Sequence, residues 1–107
     1  MIHAVYSRSL NRLTVMGHAY SGETGHDLVC AAVSAVVYSL AINVDCMRAS
    51  EHLDDSVVEL SSGKADISVK PKSLFKGAVT LIFDAVCLGL YGLAHTYPDN
   101  ITYDVVE

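Results

Sequence analysis

From Asp27 onward the chain runs to Gly63 without a single glycine or proline, and the first half of that stretch is apolar on nearly every side. Leu28, Val29, Ala31, Ala32, Val33, Val36, Val37, Leu40 and Ile42 read as one helix reaching about Val44. A helix with so little polar circumference has to be covered on several sides. In a chain of 107 residues one sheet covers one face, and a second helix or a second subunit has to cover another.

The flanking segments supply that sheet. Ile2 to Ser7 is rich in strand formers, Ser9–Arg12 offers a turn, and Leu13–Met16 resumes the extended pattern before Gly17 ends it. Asp45 to Asp55 is polar and reads as irregular. Ser56–Leu60 and Ala65–Val69 flank Ser61–Lys64 as a second hairpin, closed by Pro71. Ser73 is placed to cap a second helix running to about Thr96, with Leu74, Phe75, Ala78, Leu81, Ile82, Ala85, Leu88 and Tyr91 at helical spacing. Pro98 stops it, and Ile101–Val105 is a last strand. The order is ββαββαβ. It predicts an α+β fold, a mainly antiparallel sheet with two long helices, in a single domain over residues 1–107.

Composition narrows the function. The chain is 51% hydrophobic and 18% charged, which excludes disorder and favours a well-buried fold completed by self-association. A net charge of −5 with seven scattered cations forms no basic stripe, so no direct nucleic-acid binding is expected. Residues Met1–Tyr6 lack the charged head and long apolar run of a secretion signal, and a cytoplasmic location follows as the expectation. Gly77–Ala94 is long enough to test as a membrane span, but an ionised Asp84 near its middle would cost about 2.5–3.5 kcal/mol there. A core or interface helix is the better reading, with no membrane.

Three cysteines, Cys30, Cys46 and Cys87, form no CxxC pair and suggest neither a disulfide framework nor a familiar zinc site. Most such thiols are small buried hydrophobes. Cys30 differs by position. With Asp27 as N-cap it falls near the third helical residue, where unpaired N–H groups favour thiolate, and the N–H groups of that turn are candidate oxyanion donors. His18, closing the second strand, stands across a glycine-containing loop from it and is the candidate base or ion-pair partner. Residues 19–26, with Gly22 and Gly25, read as a loop that could admit an extended peptide and close over it. Asp27 has a purely structural reading as a cap worth about 1 kcal/mol, Glu23 reads as solvated, and Ser34 as bonded to its own helix backbone. His26 competes with His18. Together with Cys30 the two histidines could be a metal trio, although the spacing matches no recognised zinc pattern and no fourth ligand stands near.

The run Gly17-His18-Ala19, the loop through Gly25, and Asp27-Leu28-Val29-Cys30-Ala31-Ala32-Val33-Ser34-Ala35 resembles the bacterial ribosomal-processing cysteine protease family, Prp, in register across about 19 residues. The resemblance implies that His18 and Cys30 are a catalytic pair and that Asp27 supports them. It places Gly17, Ala19, Gly22, Gly25 and His26 around a substrate loop. It also implies a homodimer, and no cofactor or metal is expected. The implied substrate is the N-terminal extension of large-subunit ribosomal protein L twenty-seven. A different class of function stays open at this point: an acidic homodimer that binds a basic ribosomal protein without cutting it.

Overall fold

The computed structural model describes residues 1–18 and 23–107, with the backbone alone for residues 23–27. Two hairpins and two helices alternate in the expected order. β1 (Ile2–Ser7) and β2 (Arg12–Gly17) precede α1 (Glu23–Ala49). β3 (Leu53–Ser61) and β4 (Lys64–Pro71) precede a short 3-10 turn (Ser73–Phe75), α2 (Lys76–Thr96) and β5 (Ile101–Val106). The sheet order is β3-β4-β2-β1-β5. It is antiparallel except between β1 and β5, which run parallel because α2 carries the chain back across the sheet before β5 begins.

Alternation decides which sheet face is covered. Ile2, Ala4 and Tyr6 of β1, Leu13 and Val15 of β2, and Ala65, Ile67 and Val69 of β4 are all buried beneath the helices. α1 answers with Val29, Val33, Val37, Leu40, Val44 and Met47, and α2 with Val79, Phe83, Cys87 and Leu90, each set recurring every three or four residues. The helices lie side by side. A Cβ on Gly89 of α2 would come within 3.2 Å of Val36 of α1, so the glycine permits the close approach. One layer of helices cannot cover its own outer surface, and Leu28, Tyr38 and Ile42 of α1 and Leu81, Leu88 and Tyr91 of α2 remain exposed.

Both helices are long and apolar enough to cross a membrane, and each packs one face on the sheet. Asp84, the carboxylate inside the most apolar stretch, ties α2 to β1. It accepts from the Tyr6 hydroxyl at 2.7 Å and from Arg8 Nε at 3.1 and 3.2 Å.

Three expected boundaries are corrected. α1 opens at Glu23, not after Asp27, so Asp27 is its fifth residue and not its N-cap. A single glycine, Gly25, costs about 1 kcal/mol in a helix, too little to stop propagation from so long an apolar segment. At the other end α1 continues past Val44 to Ala49. Its polar residues there face outward while Val44 and Met47 stay buried, and Asp45 pairs with Arg48 at 2.5 Å. The helix closes in a Schellman motif, His52 N–H to Met47 carbonyl and Glu51 N–H to Arg48 carbonyl, with Glu51 in the left-handed region at φ 60°. Ser73 opens the 3-10 turn and caps nothing: α2 starts after Phe75 without a side-chain cap.

Candidate active site

β2 ends in a conformation that only glycine takes easily. Gly17 has φ +102°, and a Cβ there would run into the backbone carbonyl of Met1, just ahead of β1. The next residue, His18, is half-buried at the rim of the sheet. Its carbonyl accepts from the Met1 amino nitrogen at 2.5 Å. The neighbouring β3–β4 turn supports it from the other side. The Gly17 N–H donates to the Gly63 carbonyl at 2.9 Å, and the His18 imidazole lies directly against the Gly63 Cα.

Cys30 comes from α1. Val29 is buried in the core and Val33 one turn later is as well, which fixes the helix face that Cys30 shares with the sheet and leaves its thiol half-buried. His18 and Cys30 line the same groove, about 450 Å³ in volume. Buried Ile2, Val15, Val33 and Val37 form its apolar floor, Ser34 and Tyr38 of α1 also line it, and the β3–β4 hairpin from Leu60 to Ala65 forms one wall. The groove therefore joins a thiol, an imidazole, two kinds of hydroxyl and an apolar floor, a set able to hold an extended peptide against a nucleophile.

Gly17, His18 and Cys30 converge on the groove. Gly25 lies in the first turn of α1 and not in a loop. Ala19 and Gly22 lie outside the described residues, and so do the side chains of His26 and Asp27. Cys30 is the eighth residue of α1, well past the first turn, so the expected field from the helix start does not reach it and its N–H sits inside the helical hydrogen-bond ladder. The hairpin wall was missed. Ser61–Lys64 read only as a turn, because nothing local in the sequence says that β4 pairs with β2 and so brings that turn beside His18.

The other thiols differ sharply from this one. Cys46 is exposed on α1. Cys87 is fully buried among the core residues of α2, and its thiol is pushed up to about 12 by burial first and by nearby Asp84 second. Among the described residues, no three His, Cys, Asp or Glu side chains stand close enough together to hold a metal ion.

The chain is 30% identical over 96 residues to the ribosomal processing cysteine protease Prp of Mycoplasma pneumoniae, covering 90% of this chain and 88% of the relative. Its fold is similar to that of the Staphylococcus aureus ribosomal processing protease Prp, solved with a covalently linked product peptide. There the TM-score is 0.75 at 22% identity, with 99% of this chain and 100% of that one covered. A Streptococcus mutans protein of known crystal structure matches with TM-score 0.66 and 26% identity over 98% of this chain and 91% of its own. The family model for cysteine protease Prp matches residues 1–102, and the chain belongs to that family of cysteine proteases.

Proposed function

We propose that this enzyme removes the N-terminal extension of large-subunit ribosomal protein L twenty-seven, with Cys30 as nucleophile and His18 as general acid and base. The observation that carries the reading is the single groove shared by the His18 imidazole and the Cys30 thiol, one from the end of β2 and the other from α1. The name of the Mycoplasma pneumoniae relative, a ribosomal processing protease, supports the substrate class.

The Cys30 thiolate attacks the scissile carbonyl carbon, and the carbonyl π electrons move to oxygen. Collapse of the tetrahedral adduct breaks the C–N bond as His18 delivers a proton to the leaving amine, and a thioester remains. His18 then takes a proton from water, whose oxygen attacks the thioester. The carboxylate product leaves and the thiolate is regenerated. Acid–base help of this kind is worth about 10²- to 10⁴-fold in rate. Asp27 steadies His18 or the backbone beside it, the enzyme works as a cytoplasmic homodimer, and no cofactor takes part. The exposed apolar residues of α1 and α2 support the dimer.

The test is to incubate the protein with the extended ribosomal precursor and locate the new N-terminus by mass spectrometry. Cys30→Ala should abolish cleavage while leaving thermal unfolding unchanged. Undiminished cleavage by that variant would overturn the nucleophile assignment.

A further inference from the structure

Resting on the reading of His18 as the proton carrier for Cys30, we infer that Gly63, in the β3–β4 turn, is a positioning residue for the reaction. Its backbone φ is +71°, and a Cβ built there would lie 2.5 Å from His18 Nε2, 3.0 Å from Cε1 and 3.3 Å from Cδ2. The whole leading edge of the imidazole thus rests on a bare Cα. The same residue's carbonyl receives the Gly17 N–H at 2.9 Å, so one turn holds both the ring and the backbone of the residue before it. The turn cannot drift, because β4 is paired with β2 up to Met16 and Lys64.

Other glycines show that this is a local demand and not a general one. Gly77 and Gly92 would each accept a Cβ with nothing within 4 Å. At Gly63 an L side chain must push the imidazole about 1 Å to reach ordinary contact, and a displacement of that size in a catalytic group costs on the order of 10²-fold in rate. The turn is therefore a backstop that sets the ring against the groove.

Left-handed backbone strain and ring displacement are separable. Asparagine tolerates positive φ while still carrying a Cβ toward His18. D-alanine takes the same φ without strain and projects its Cβ away from the ring. Cys46 and Cys87 are native ligation junctions, so the chain can be assembled from segments 1–45, 46–86 and 87–107 with D-alanine at position 63. The experiment measures kcat and KM on the extended ribosomal precursor, the melting temperature, and the rate of Cys30 alkylation by iodoacetamide from pH 6 to 9.

Gly63→Asn should fold, lose about 100-fold in kcat with KM within about threefold, and change the pH dependence of Cys30 alkylation, whereas the D-alanine chain should stay within a fewfold of wild type. Three results overturn the inference: a folded Gly63→Asn with kcat within threefold of wild type, a D-alanine chain as impaired as the asparagine variant, or a Gly63→Asn chain that does not fold. His18→Ala and Cys30→Ala run alongside. If either cleaves as wild type, the dyad reading falls, and that failure is distinct from any result at position 63.

Discussion

Raising the pH should destabilise this protein through a residue that takes no part in its chemistry. Cys87 is completely buried on the core face of α2, and its thiol moves from an ordinary 9.0 to about 12, first because burial penalises the thiolate and then because Asp84 lies one turn away. A group whose proton is held more tightly in the fold contributes stability that is fully present below its unfolded value. That stability is lost as pH rises from 9 toward 12. At pH 10.5 the loss comes to about 2 kcal/mol, a factor of about 30 in the folded-to-unfolded ratio. Tyr6 and Tyr103 are displaced upward for the same first reason and add to the fall above about pH 10. Cys87→Ala isolates the thiol, since the cavity it leaves costs the same at every pH. Urea unfolding of both proteins at pH 8 and 10.5 should show the wild type losing about 2 kcal/mol more than the variant over that interval. Parallel losses would mean that the Cys87 thiolate is solvated in the folded state, and the assignment of Cys87 as an inert core thiol would fail.

Further outcomes follow from other contacts. Asp84→Ala leaves the buried Tyr6 hydroxyl without its acceptor and should cost about 1–3 kcal/mol in urea unfolding. Leu81→Glu with Leu88→Glu places charge on the exposed apolar face of α2. If that face joins two copies, light scattering should show the dimer dissociating at least about tenfold more readily, since each buried leucine is worth roughly 1.5–3 kcal/mol. His18→Ala should lower precursor cleavage by about 10²- to 10⁴-fold and slow iodoacetamide alkylation of Cys30 toward the rate seen at exposed Cys46.

The parts of the fold that local chemistry specifies were legible in the sequence. Alternation in Ile2–Ser7 and Ala65–Val69, and the turn at Ser61–Lys64, mark the hairpins, and Pro98 marks the end of α2. Helix ends were not, for a physical reason at each. Gly25 looks like a loop residue but costs too little to end a helix, and the polar Asp45–Arg48 stretch hides the buried Val44 and Met47 that carry α1 onward. Sheet order is set by pairings between distant strands, so neither the parallel β1–β5 pair nor the approach of β4 to β2 could be read locally. The convergence of His18 and Cys30 came from a family motif. The hairpin that walls their groove has no such motif, only a glycine in an ordinary turn.

The position of Cys30 in α1 bears on what activates it. The helix macrodipole fades within a turn, and the four N–H groups of α1 without a partner inside the helix belong to residues 23–26. The last of them precedes Cys30 by four residues, about 6 Å of axial rise, and the others lie farther back. The field at the start of α1 therefore contributes little to the Cys30 thiolate. What remains is the groove itself, where Lys64 lines the sheet side beside the His18 imidazole. The imidazole's placement depends on two glycines at positive φ, one packed on the Met1 carbonyl and the other on the ring. In the proposed mechanism, reactivity in this enzyme is thus a property of strand ends and a turn, and α1 serves to deliver the sulfur to them.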